Sequence, residues 1–133
     1  MTAAESAITM HIGELAERTG LSHRTIRHYD ETGLLPASGR TEGGFRLYTQ
    51  ADLDTLLLIR RMKPLGFSLD EMAELLSVVA ALEGGEGGEG RGGAGGDTRA
   101  RLDAFVEQAV ERRARLERQL AMADEFLELL RSR

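Results

Sequence analysis

The stretch from Asp97 to Arg133 holds neither Gly nor Pro. It is built mainly from Ala, Leu, Glu, Arg and Gln, all strong helix formers. Within it, Leu102, Val106, Ala109, Arg113, Leu116, Leu120, Ala123, Leu127 and Leu130 follow one another in steps that alternate between four and three, and eight of the nine are apolar. A 3.5-residue period held over four heptads is the a/d seam of a coiled coil. Asp97 or Thr98 supplies a cap for the start, and the helix would be about 50 Å long at 1.5 Å per residue. No other segment of the 133 residues is long enough to cover that seam, so the expected partner is the same helix in a second chain. The alternative is a helix folded back on its own N-terminal half, but a globular contact rarely keeps this period so long. Arg113 is the one charged seam residue, and a carboxylate across the dimer would pair it.

Just before this helix lies GGEGGEGRGGAGG, Gly84–Gly96, in which nine of thirteen residues are glycine. It has no side chains able to form a core, and glycine loses the most backbone entropy on ordering. Residues 80–97 therefore read as a flexible linker, with the tract reaching roughly 20 Å as a random coil. The division is a folded region over 10–79, the linker, and a dimerisation helix over 98–131. Phe105 and Phe126 lie off the seam and are free to dock on Leu75, Leu76 or Val79.

Charge is distributed as unevenly as glycine. The chain carries a net −5, but residues 18–63 hold 8 basic and 5 acidic groups, net +3, and every basic residue of 1–79 lies in that window. A local basic face matters more to a polyanion than the total does. Residues 12–31, IGELAERTGLSHRTIRHYDE, have the layout of a helix-turn-helix. Ile12, Leu15 and Ala16 form one apolar face, Gly20 sits at the turn, and Ser22 caps a second helix whose Ile26 and Tyr29 point inward. Gly33 and Pro36 end that helix. Its solvent side is left with His23, Arg24, Thr25, Arg27 and His28, residue types that bond phosphates and base edges. Two helices around a turn also arise as plain packing, so this stretch alone does not establish DNA binding.

Arg40–Tyr48, RTEGGFRLY, follows as two short strands around Gly43-Gly44, with Phe45 and Leu47 on one face and Arg46 and Tyr48 on the other. A hairpin placed there is a wing, and its Arg and Tyr are suited to grip the phosphate backbone. Thr49-x-x-Asp52 and Ser68-x-x-Glu71 resemble capping boxes that open two more helices. Between those helices, KPLGF (Lys63–Phe67) interrupts the chain with Pro64 and Gly66. Arg60, Arg61 and Lys63 place three positive charges near that loop.

IGELAERTGLSHRTIRHYDETGLLP, then GGFRLYTQADLDTLLLIRRMKPLGFSLDEMAELL, then the long terminal helix, together resemble the MerR family of bacterial transcription regulators. The likeness is close over residues 10–79 and of the same kind over 98–130. It implies a winged-helix domain (helix-turn-helix 12–31, wing 40–48) and a homodimer joined by an antiparallel coiled coil. It also implies binding to a palindromic operator within a promoter, which members distort so that RNA polymerase can read it. Arg27 matches the Arg of the recognition-helix motif, and His28 and Tyr29 stand where the family usually has two Tyr. Arg46 and Tyr48 match the phosphate-gripping wing residues, and Lys63 the basic position entering a second wing. Metal- and redox-responsive relatives carry Cys at the ends of the long helix, whereas this chain has none. Drug-sensing relatives carry a sizeable C-terminal ligand domain, and none is expected here.

The expected fold class is thus all-α dominated: a winged helix-turn-helix DNA-binding domain with a small β-hairpin, plus a long C-terminal dimerisation helix. DNA contacts fall to His23, Arg24, Arg27, His28, Tyr29, Arg46, Tyr48 and Lys63. Dimerisation falls to Leu102, Val106, Ala109, Leu116, Leu120, Ala123, Leu127 and Leu130. The partners are double-stranded promoter DNA, a second copy of the chain and RNA polymerase, with no effector assigned. No cofactor or metal is expected: cysteine is absent, and His23 and His28 are five apart, off the spacing that puts two ligands on one helical face. No enzyme is expected either, since no nucleophile elbow or phosphate-binding loop occurs. Residues 1–9 lack the basic start and apolar stretch of a signal peptide, and no apolar run is long enough for a bilayer, so a cytoplasmic protein is expected. A coiled-coil interaction adaptor and an architectural DNA binder without an effector are the alternatives.

Overall fold

The computed structural model describes residues 9–84 and 92–133, and the chain forms two compact units, Met1–Ala73 and Glu74–Arg133. The first unit opens on strand β1 (Met10–His11), followed by helices α1 (Ile12–Thr19) and α2 (His23–Thr32), strands β2 (Gly39–Arg40) and β3 (Arg46–Tyr48), and helix α3 (Gln50–Met62). A 3-10 turn at Lys63–Leu65 leads to α4 (Leu69–Glu83), and α5 spans Gly92–Arg131. The second strand of the wing hairpin, β3, is the centre of a small antiparallel sheet of order β1-β3-β2. Met10 pairs with Tyr48 and His11 with Leu47 on one side of β3, while Gly39 pairs with Leu47 and Arg40 with Arg46 on the other. Sequence reading provides no β1. Two residues carry no period to detect, and the strand exists because β3 offers a free edge beside the start of α1.

The expected helix-turn-helix forms as its punctuation dictates. α1 ends at Gly20, whose φ of 76° lets its N–H return to the Ala16 carbonyl at 2.8 Å. Ser22 caps α2 by accepting the N–H of Thr25 at 3.1 Å, and Gly33 closes the helix at φ 84°. Thr19 is buried at the crossing, where its hydroxyl donates to the Leu15 carbonyl and accepts the N–H of Leu21. Leu15, Ile26, Tyr29 and Leu35 pack into one core with Met10, Tyr48 and the buried face of α3, namely Leu53, Leu56, Ile59 and Met62. Both capping boxes form. Thr49 and Asp52 exchange backbone-to-side-chain bonds at 2.8 and 3.2 Å, and Ser68 and Glu71 at 2.8 and 3.1 Å.

The boundaries expected for the linker are corrected at both ends. α4 continues to Glu83 and α5 begins at Gly92, so residues 80–83 and 92–97 are helical, and 85–91 lie outside the described residues. Ala80, Ala81, Leu82 and Glu83 propagate a helix readily. At the other end, an established helix extends into glycine for only about 1 kcal/mol per residue, because nucleation has already been met. Within the second unit, Arg101 lies 3.4 Å from Glu74, and Val78, Thr98 and Phe105 are buried. Of the two off-seam aromatics, only Phe105 is packed away; Phe126 is exposed.

Candidate nucleic-acid interface

α2 divides its residues by helical period. Ile26 and Tyr29 turn into the core, leaving His23, Arg24, Arg27 and His28 exposed, while Thr25 is half-buried. The hydroxyl of Ser22 also donates to that of Thr25 at 3.0 Å, so the start of this basic face is held by its own cap. The wing stands beside it. The Thr41 N–H donates to the Phe45 carbonyl and the Gly44 N–H returns to the Thr41 carbonyl, each at 2.9 Å, closing the hairpin. Phe45 projects from this turn and is 68% exposed. His11, Ile12, Arg27, Gly44, Phe45 and Arg46 line a single open cleft of about 310 Å³ between the helix and the wing. Two guanidinium groups, an imidazole and an aromatic face thus share one concavity. That combination suits a phosphodiester and its sugar, with charges for the anion and a ring for the deoxyribose.

Asp30 joins the two elements. Arg46 Nε donates to its Oδ2 at 2.6 Å, Arg40 Nη2 lies 3.5 Å from the same oxygen, and the N–H of Ala37 donates to Oδ1 at 3.1 Å. The Arg46 bond, reinforced by the Ala37 N–H and the two positive charges, holds the Asp30 carboxyl below the usual carboxylate range against the opposing effect of its own burial. The same bond raises Arg46. Arg40 further donates to the Gly44 carbonyl at 2.9 Å, tying the tip of the wing to its own strand.

One of the expected DNA contacts, Tyr48, needs correction. Tyr48 is fully buried, its hydroxyl included, while Tyr29 has its ring in the core and is 3% exposed. Burial raises the pKa of both. The physical reason lies in the pleat. The face of β3 that carries Arg46 and Tyr48 is turned inward, so Arg46 meets Asp30 at the rim while Tyr48 enters the core, leaving Phe45 outward. Lys63 is exposed in the 3-10 turn after α3 and does not line the cleft, whereas Arg27 and Arg46 are brought together there. Arg60, read only as charge near a loop, donates to the Thr19 carbonyl at 2.6 Å and closes the C-terminal end of α1. His11, Phe45 and Asp30 also escaped sequence reasoning. For Asp30 the available signal was an acid on a helix rich in Arg and His, which needs a counter-charge from elsewhere.

Along α5, the seam residues Val106, Leu116, Leu120, Ala123, Leu127 and Leu130 are exposed in the single chain, and Leu102 and Ala109 are half-buried. Arg113 pairs with Glu117 at 3.2 Å, one turn on in its own helix. Among the described residues no His, Cys, Asp or Glu cluster is placed to hold a metal ion, and no helix is long and apolar enough to cross a membrane.

A family model described as MerR HTH family regulatory protein matches residues 10–78. The mercuric resistance operon regulatory protein of Bacillus cereus is 50% identical over 68 residues, 51% of this chain and 52% of that protein. The HTH-type transcriptional regulator ZntR of Escherichia coli (strain K12) is 49% identical over 67 residues, 50% of this chain and 48% of its own. The chain thus spans about half the length of the curated relatives it matches. Two solved structures extend the likeness into the long helix. A MerR family regulator from Bacillus cereus aligns with a TM-score of 0.64 at 28% identity, covering 91% of this chain and 76% of its own. HiNmlR, described as a MerR family regulator lacking the sensor domain and bound to promoter DNA, aligns with a TM-score of 0.63 at 29% identity, covering 92% and 85%. The helix-turn-helix, the wing and most of the following helical pair all fall within the matched residues, and on that ground the chain belongs to the MerR family of helix-turn-helix regulatory proteins.

Proposed function

We propose that the chain is a homodimeric, sequence-specific regulator of transcription that binds a palindromic operator in promoter DNA and distorts it for RNA polymerase. The observation that carries this reading is the cleft between α2 and the wing, where Arg27 and Arg46 converge beside an exposed basic helix face. His23, Arg24, Arg27 and His28 face the groove, with Arg27 the best placed to bond a base edge. Arg46 takes a phosphate, and Lys63 adds a positive charge from the turn after α3. HiNmlR, bound to promoter DNA, supports the choice of ligand. The exposed α5 seam supports pairing with a second copy, since a stripe of Leu and Val one helix long is not stable in water alone. The cytoplasm, where promoter DNA is found, is the matching location.

Footprinting the protein on the promoter region of its own gene tests the proposal. The expected result is a protected site with two-fold symmetry between the promoter elements and hypersensitive positions at its centre, where the duplex is deformed. Binding that is equally weak on every sequence would favour an architectural protein instead. Absence of any DNA binding, with dimerisation intact, would favour a coiled-coil adaptor.

A further inference from the structure

Asp30 is an acid on a helix whose exposed residues include His23, Arg24, Arg27 and His28, with Glu31 the one exposed acid beside it. A carboxylate in that place repels phosphate, and in the last turn of α2 it also opposes the helix dipole. It is nonetheless only 13% exposed and is surrounded by donors from three later segments: Ala37 in the loop, Arg40 on β2 and Arg46 on β3. The guanidinium it holds is a planar fork of five N–H donors. With Nε of Arg46 engaged at 2.6 Å, the plane of that fork is fixed, and four donors remain on the two terminal amino groups.

We propose that Asp30 is a positioning residue for DNA binding: by holding Nε of Arg46 it orients the terminal amino groups of that arginine toward a phosphate seated in the cleft shared with Arg27. The inference rests on the DNA-binding reading above and adds a residue that itself touches no DNA. It also explains why a half-buried Arg46 still serves as a phosphate ligand. Its side-chain entropy is already lost to Asp30, so less is lost on binding DNA. The Ala37 and Arg40 contacts anchor the carboxylate, so that Arg46 is aligned by a fixed group and not by a mobile one.

The proposal predicts a sign opposite to that of bulk charge. Removing an acid from a DNA-binding face should tighten binding to any duplex, since net positive charge rises. Removing a positioning residue should weaken it. Binding of the full-length protein to a random-sequence DNA duplex is therefore measured across a salt series for wild type, Asp30→Asn, Arg46→Ala and the pair Asp30→Asn/Arg46→Ala. Asp30→Asn is expected to weaken binding about fivefold to tenfold, the scale of one charge-assisted contact, and to flatten the salt slope by about one. In the Arg46→Ala background the same change should cost nothing. Wild-type protein that fails to bind any duplex overturns the DNA-binding reading and this inference with it. Wild type that binds, with Asp30→Asn equal or tighter, overturns the positioning role alone. A loss that persists without Arg46 also overturns it, because the effect would then be one of folding.

Discussion

Tyr48 and Arg46 sit two residues apart on one strand face and end in different environments. The phenol is sealed in the core with a hydroxyl that has no hydrogen-bond partner among the described residues, while the guanidinium stops at the rim on Asp30. Tyr48→Phe keeps the ring and removes the orphaned donor, so unfolding stability should be unchanged or higher by up to about 1 kcal/mol. DNA affinity should not move; a loss of affinity with stability intact would return Tyr48 to the interface. Arg27→Ala should cost about 1–3 kcal/mol on the operator and much less on random DNA if Arg27 bonds a base edge, which competition titration reads directly. The lowered Asp30 carboxyl also sets a pH dependence. A folded-state value below the unfolded one means the stabilisation is complete above about pH 4, the ordinary carboxylate range, and is lost as pH falls through the folded-state value. Chemical unfolding at pH 3 against pH 6 should show a loss in wild type that is smaller in Asp30→Asn. Residue type and helical period told where Arg27 and His28 would lie. They did not tell that the inward face of β3 ends in core at Tyr48 and in an ion pair at Arg46, because that depends on what the sheet packs against.

Elements were the most legible level, since each stop and start carries a chemical mark. Gly20, Ser22, Gly33, Thr49 and Ser68 all stand where the structure begins or ends a helix. Each either supplies the one backbone conformation a side chain would resist or satisfies an N–H that the helix cannot. Thr49→Ala removes half of a capping box. It should lower stability by about 1 kcal/mol by thermal or denaturant unfolding, with Asp52 left to bond the Thr49-position N–H alone. A negligible change would mean that the α3 start is held by packing, not by its cap. Marks were missing where structure comes from a neighbour. β1 needs β3, and the first turns of α5 need the helix that follows them.

At the scale of the whole molecule, a net −5 coexists with a net +3 over residues 18–63, because acids outnumber bases in the rest of the chain. Residues 80–97 alone carry 1 basic and 4 acidic groups, net −3. On the proposed function, a like-charged duplex would approach through the basic window of residues 18–63, which favours one orientation of approach. The second whole-molecule property is assembly. Leu116 and Leu120 are exposed at the middle of the seam, and Leu116→Lys with Leu120→Lys would place four like charges along a paired interface. Light scattering should then show a chain of monomer mass that keeps its helix content in the winged domain. A double variant with the mass of a dimer would put the interface elsewhere. The heptad was readable in sequence because a 3.5 period is a property of one strand of residues. The joint before it was not, because glycine permits helix and coil alike and leaves the choice to context.

That joint has a mechanical side. α5 begins with Gly92-Gly-Ala-Gly-Gly96, a helical turn whose four glycines are each about 1 kcal/mol easier to unwind than alanine. Every residue that leaves the helix there lengthens the chain from about 1.5 Å to about 3.3 Å of travel. Tension along α5 is therefore absorbed at its glycine end, a few ångströms at a time, before any seam leucine is displaced. The stem would act as a rod with a built-in spring, able to adjust its reach while its leucine seam stays in register.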